Sequence, residues 1–300
     1  MRSQTTLRRR SVLAAASSIL ALCALAAGAA AAAPANPAPP PVAASVPSAD
    51  GLPIHYTVQG SGETALVFIH GWSCDASYWA GQVPAFADRY RVVALDLAGH
   101  GGSGVGPRDW SIAAYAQDVR AVVEQLDLKR AVLIGHSMGG SVAVAAAGLL
   151  PDRVVAVIGV DTLQDAERTI TPEMVAPLLA GMKADFPGFT ANFVRQMFPA
   201  DADSALVARI AADMGAAPPE VALPSFAGLF AYDLKAGFAA LTCPVRCLNS
   251  DRHPTNVEGN RKHARDFDVV LLKGRGHFPH LERPAEFNAA LATLLQGVAP

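Results

Sequence analysis

From about Asp50 onward, short apolar runs alternate with longer segments in which apolar positions recur three and four residues apart. Apolar runs without polar alternation predict strands buried on both faces, and their alternation with helical segments predicts a mainly parallel sheet covered by helices on both sides. The predicted strands are Leu52–Val58, Ala65–His70, Arg91–Leu97, Arg130–Gly135, Val154–Asp161, Pro244–Asn249 and Asp268–Leu272. A Gly60-Ser61-Gly62 turn closes the first of them. Behind Ser111, a natural N-cap, Ile112, Tyr115, Val119, Val122, Val123 and Leu126 share one helical face. Met138–Leu150 is apolar nearly all round, which predicts a helix buried against the sheet. Arg283–Gln296 reads as the closing helix, with Pro284 where a first turn tolerates it.

One segment breaks the alternation. Residues 162–241 carry no strand pattern and are rich in Phe, Met, Pro and Ala, including Phe186, Phe189, Phe193, Phe226 and Phe230. This predicts a helical cap inserted between two halves of an α/β core, residues 50–161 and 242–300. Most of its aromatic side chains are expected to pack the cap itself, and a few to face a substrate.

The N-terminus reads as an address. Arg2, Arg8, Arg9 and Arg10 precede an uncharged, largely apolar stretch from Ser11 to Ala33 that ends in small residues, the pattern of a signal peptide over residues 1–33. Arg9-Arg10-Ser11-Val12-Leu13 also approximates a twin-arginine signal. The stretch is long enough for a membrane anchor, but alanine is only weakly apolar and the downstream Ala run offers cleavage sites. Export to the periplasm or medium is therefore expected, with no stable membrane partner after cleavage. Residues 34–49, Pro- and Ala-rich and uncharged, read as a flexible linker. Without the four leader arginines, 20 basic face 26 acidic residues, a net charge of −6 that argues against nucleic acid as partner. Cys74, Cys243 and Cys247 are an odd number, so at least one thiol stays free and disulfides do not define the fold.

Candidate chemistry lies at the strand ends. Gly135-His136-Ser137-Met138-Gly139 fits G-x-S-x-G at a strand–helix junction, a turn that presents Ser137 as a nucleophile. His70-Gly71-Trp72 ends an earlier strand, Asp96–Ser103 follows the pattern D-x-x-G-x-G-x-S, and Gly276-His277-Phe278 follows the last strand. In these motifs and their order the chain resembles the α/β-hydrolase superfamily. The resemblance implies that His277 is the general base, that the N–H groups of Trp72 and Met138 form the oxyanion hole, and that the Asp96–Ser103 loop is scaffold. It favours His277 over His280, makes His70 structural, and turns His136 away from the nucleophile. The triad acid has two candidates. Some members, haloalkane dehalogenases among them, carry it at the end of the strand before the cap, which here is Asp161; the alternative after the cap is Asp251, two residues short of the usual position, which falls on His253. Asp161 is the preferred choice. Ser137 itself separates the chain from the haloalkane dehalogenases and epoxide hydrolases of this fold, which use aspartate there.

No H-E-x-x-H, paired-cysteine or dinucleotide-binding pattern occurs, so neither a metal nor a cofactor is expected. The expected activity is hydrolysis of a small-molecule carboxylic ester or lactone with an apolar acyl group, through an acyl-enzyme. The alternatives are a proline-type aminopeptidase with an acidic anchor in the cap (Glu167, Glu173 or Asp185), a carbon–carbon bond hydrolase or cofactor-free haloperoxidase-like enzyme on the same triad, and a non-catalytic binding protein.

Overall fold

The apolar runs become eight strands of one sheet in a computed structural model, which describes residues 39–298. The signal-peptide reading of residues 1–33 concerns residues outside that range. The strands are β1 (Val42–Pro47), β2 (Pro53–Gln59), β3 (Ala65–Ile69), β4 (Arg91–Leu95), β5 (Ala131–His136), β6 (Val154–Val160), β7 (Val245–Ser250) and β8 (Phe267–Leu272). Their order is β1-β2-β4-β3-β5-β6-β7-β8. From β4 to β8 all neighbours are parallel, while β2 runs antiparallel to both β1 and β4.

Why the central strands lack polar alternation is visible in their packing. On β3, Ala65, Val67 and Ile69 join the core on one face, and Leu66 and Phe68 join the core on the other. The helices that cover them are α1 (Val83–Phe86), α2 (Ile112–Gln125) and α3 (Met138–Leu149) in the first half. The second half adds α9 (Val257–Arg261), α10 (Pro279–Glu282) and α11 (Pro284–Val298). Val119, Val122 and Val123 of α2 pack the first face, and Phe287, Leu291 and Leu295 of α11 pack the second. Ser111 caps α2 as its sequence position predicts, its Oγ accepting from Ala114 N–H at 3.2 Å.

Residues 162–241 hold five helices and no strand: α4 (Pro172–Ala184), α5 (Phe186–Met197), α6 (Ser204–Gly215), α7 (Pro219–Ala231) and α8 (Leu234–Ala239). Phe186 and Phe226 are buried, and Phe189, Phe193 and Phe230 are partly buried against the same core.

The linker expected over residues 34–49 needs correction. Val42–Pro47 form edge strand β1, paired to β2 with Val46 opposite Ile54. Composition concealed it because an edge strand can be nearly all exposed: only Val46 of its six residues is buried. Its one proline, Pro47, causes no loss, since an edge leaves one row of N–H groups without ladder partners. Just beyond it, Ser48 Oγ donates to the buried Asp118 of α2 at 2.5 Å.

Asp118 also receives Arg108 Nη1 at 3.1 Å and Ala98 N–H at 3.1 Å, so one carboxylate joins α2 to the segment that precedes it and, through Ser48, to the end of β1. Both side chains of this ion pair are almost fully buried. Asp118→Ala would strand the Arg108 cation with only Asp50, at 3.1 Å and partly exposed, as partner. The expected loss in urea unfolding is about 3 kcal/mol, the size for a broken buried pair. A loss under about 1 kcal/mol, the range of surface pairs, would remove Asp118 from this role.

Candidate active site

Ser137 sits between β5 and α3 with φ 52° and ψ −118°, a conformation that costs on the order of 1–3 kcal/mol. Its flanking glycines are sterically required. A Cβ on Gly135 would lie 2.0 Å from the Gly139 carbonyl oxygen, and one on Gly139 would lie 2.4 Å from that of Ile69. The strain is held by β6 and its end: Ser137 N–H donates to the Val160 carbonyl at 3.1 Å, and Thr162 Oγ1 donates to the Ser137 carbonyl at 2.8 Å.

Asp161, which ends β6, brings its Oδ2 within 2.6 Å of His277 Nδ1. Its Oδ1 accepts the Ser250 N–H at 2.8 Å, so both oxygens are engaged. Burial pushes the Asp161 carboxyl up, but hydrogen bonds from His277 and Ser250 and the charge of His277 outweigh it and hold the group at about 2. An ionised acceptor requires that Nδ1 of His277 carry the proton of that bond, which leaves Nε2 available for proton exchange. Asp251, the alternative acid, is exposed and accepts the Gly274 N–H at 2.9 Å; it makes no hydrogen bond to His277. The geometry therefore pairs His277 with Asp161.

The depressed Asp161 value fixes a pH dependence. A carboxylate held at about 2 in the folded chain against an ordinary 3.8 adds stability above pH 3.8 and loses it as pH falls toward 2. Wild-type stability should fall more steeply across that window than that of Asp161→Asn, as read by chemical unfolding at each pH. Parallel curves would contradict the assignment.

Trp72 follows β3 and Met138 opens α3, and both are buried. Neither backbone N–H donates to a backbone carbonyl among the described residues. The Trp72 indole N–H donates to the Ala222 carbonyl at 2.7 Å. Its ring meets Phe186, Phe193 and Phe226 edge-on at 6.0, 6.3 and 5.1 Å between centroids, so the turn after β3 is packed directly against α5 and α7 of the cap.

His70, His280 and His136 are structural in their contacts. His70 Nε2 accepts the Leu97 N–H at 2.9 Å, so Nδ1 donates to the Gly71 carbonyl at 2.8 Å. Burial lowers its pKa and keeps it neutral. His280, the competitor of His277, is buried and stacked on Trp79 at 4.4 Å. His136 turns to the backbone of His277, with Nε2 2.8 Å from its carbonyl oxygen. In the Asp96–Ser103 loop, Asp96 accepts from Ala76 N–H at 2.7 Å and Gly102 N–H at 2.9 Å, and Ser103 Oγ donates to the Asp96 carbonyl at 2.6 Å. That loop is scaffold, as the sequence implied.

Three side chains bear on the aminopeptidase alternative. Glu167 is engaged by His263, with Lys235 and Lys262 near it, and Asp185 caps α5 through the Gly188 N–H at 3.0 Å. Glu173 is exposed at the start of α4. The three cysteines among the described residues, Cys74, Cys243 and Cys247, are free thiols. Sequence reasoning did not foresee the hydrogen bonds from Ser250 to Asp161 or from His136 to the His277 carbonyl, because each joins residues far apart in the chain.

The fold is shared with known proteins. The family model described as "Alpha/beta hydrolase family" matches residues 66–290. The chain is 29% identical over 203 residues to karrikin insensitive 2 receptor B of Petunia hybrida, covering 64% of this chain and 74% of that one. Among solved structures, a thermophilic esterase from Thermogutta terrifontis superposes with a TM-score of 0.74 at 26% identity, covering 87% of this chain and 100% of the esterase. An N-acyl homoserine lactone degrading enzyme, Est816, superposes with a TM-score of 0.73 at 26% identity, covering 83% and 99%. The chain belongs to the alpha/beta hydrolase family.

Proposed function

We propose that the protein is an exported serine hydrolase that cleaves carboxylic esters or lactones bearing an apolar acyl group. The observation that carries this reading is the 2.6 Å bond between Asp161 and His277, formed at the same end of the sheet as the strained Ser137 turn. Ser137 Oγ attacks the substrate carbonyl carbon and His277 Nε2 takes its proton. The tetrahedral oxyanion is met by the N–H groups of Trp72 and Met138, each such donor being worth roughly a hundred- to a thousand-fold in rate. His277 returns the proton to the leaving alkoxide, which departs as alcohol and leaves an ester on Ser137. Water then gives a proton to His277 and its oxygen to the acyl carbon, and the acid and free Ser137 are regenerated.

Esters and lactones are supported by the two solved relatives, one an esterase and one that degrades a lactone, which is a cyclic ester. An apolar acyl group is supported by the aromatic set of Trp72, Phe186, Phe193 and Phe226 beside the proposed oxyanion turn. The proline-type aminopeptidase is less favoured, because Glu167 and Asp185 already have partners and Glu173 is exposed. Export is supported by the arginine-led, alanine-rich leader.

The test is turnover of p-nitrophenyl esters, from acetate to long acyl chains, by wild-type and Ser137→Ala protein side by side. Serine-dependent turnover with a preference for medium over acetyl chains is expected. Equal rates for the two proteins would overturn the reading and bring the binding role forward, a role suggested by the similarity to a receptor.

A further inference from the structure

The backbone around His277 is held at four points. Gly276 N–H donates to Glu282 Oε2 at 2.8 Å, and Phe278 N–H donates to Glu282 Oε1 at 3.2 Å. Between them, His277 N–H donates to the Met197 carbonyl at the end of α5 at 2.9 Å, and the His277 carbonyl accepts from His136 Nε2 at 2.8 Å. Two of the four bonds thus end on one carboxylate, which brackets the histidine from both sides.

The surroundings of Glu282 give that carboxylate no other employment. It is partly buried, and no cation pairs with it among the described residues. Arg275 is directed instead to Glu286, with Nη2–Oε2 at 2.8 Å, and Arg283 reaches only the Glu282 carbonyl, at 3.2 Å. Withdrawing a carboxylate from water without a counter-charge is unfavourable unless hydrogen bonds offset it, and here those bonds are the two amides flanking His277. Ordinary helix capping would account for the bond to Phe278, which precedes α10. It does not account for the shorter bond to Gly276, on the far side of His277.

We propose that Glu282 is a positioning residue for His277: its carboxylate clamps the amides of Gly276 and Phe278 so that the imidazole keeps Nδ1 on Asp161 and leaves Nε2 free for proton exchange. This rests on the reading of His277 as general base. Release of the clamp lets the histidine backbone drift, and a displacement near 1 Å at a reacting group costs on the order of a hundred-fold in rate. The His277 backbone within the clamp is also tied to Met197 and His136, so the drift is partial and the loss correspondingly bounded.

The experiment compares wild type, Glu282→Ala, Glu282→Gln and Ser137→Ala, recording kcat and KM on a p-nitrophenyl ester and thermal unfolding. It also follows the low-field proton resonance of the His277–Asp161 hydrogen bond, which needs no substrate. Glu282→Ala is expected to lower kcat roughly 30- to 100-fold with KM within twofold, and to shift or broaden that resonance. Glu282→Gln, which keeps one carbonyl acceptor, is expected to regain a substantial part of the loss. A kcat near wild type, or an unmoved resonance, in a folded Glu282→Ala protein overturns the inference. If that variant does not fold, Glu282→Gln decides: a shifted resonance with kcat below wild type supports the inference, and a variant with an unmoved resonance overturns it. Should Ser137→Ala keep full activity, the serine mechanism itself fails, and the resonance alone then judges whether Glu282 positions the histidine.

Discussion

Ser137→Ala is expected to lower kcat on p-nitrophenyl esters on the order of 10⁶-fold, as loss of the attacking atom does in triad hydrolases. The Trp72 and Met138 amides and the cap remain, so KM should change little and a residual rate above that of water should persist. The turn geometry argues that the fold survives the change: alanine occupies the same backbone position, and the bonds from Ser137 N–H to Val160 and from Thr162 to the Ser137 carbonyl do not involve Oγ. Mass spectrometry with a fluorophosphonate offers a second reading, in which one equivalent adds to wild type and none to the variant. A variant that retained a tenth of the activity, or that was labelled like wild type, would sink the acyl-enzyme mechanism.

Asp161→Asn is expected to lower kcat about 10⁴-fold while Asp251→Asn leaves it within a factor of about three. An asparagine at 161 can still accept the Ser250 N–H, now 2.8 Å from Oδ1. Its other end then becomes an NH₂ facing Nδ1, which forces the proton of His277 onto Nε2, the atom that must accept from Ser137. The fold is kept and the tautomer is wrong. Asp251 accepts only the Gly274 N–H at 2.9 Å, a role an asparagine oxygen fills equally well. Steady-state kinetics on both variants decides between them, and the reverse pattern would return the acid to the loop after β7.

The strands of the core were legible because burial on both faces leaves a run of apolar residues that needs no tertiary information to read. Val154–Val160 and Ala131–His136 are examples, each within a residue or so of its expected bounds. The Ser137 turn was legible because its two glycines stand two residues to either side of the serine, although only the Gly135 contact lies within the turn and Gly139 is required by the Ile69 carbonyl of β3. Edge strand β1 was not legible, because a strand with one buried side chain leaves almost no periodic signal and its alanines and proline resemble a linker. The cap was recognisable as helical and aromatic, but not which of its rings meet Trp72.

By itself, then, the sequence determined the layer order of sheet and helices, the Ser137 turn, the histidine loop and the position of the cap, all features whose signal lies in residues adjacent along the chain. The choice of acid belonged to the tertiary structure. Asp161 and Asp251 both stand near strand ends, and no local pattern separates them. What separates them is that β6 and β7 are parallel neighbours, with Asp161 N–H on the Leu248 carbonyl at 3.0 Å and the Ser250 N–H on Asp161. That pairing turns the Asp161 carboxylate to His277, 116 residues away in the chain. The His136 bond to the His277 carbonyl spans 141 residues and joins the end of β5 to the loop after β8, with β6 and β7 between them in the assembled sheet. A hydrogen bond over such a separation is fixed by the register of the sheet, and register emerges only when the strands are assembled.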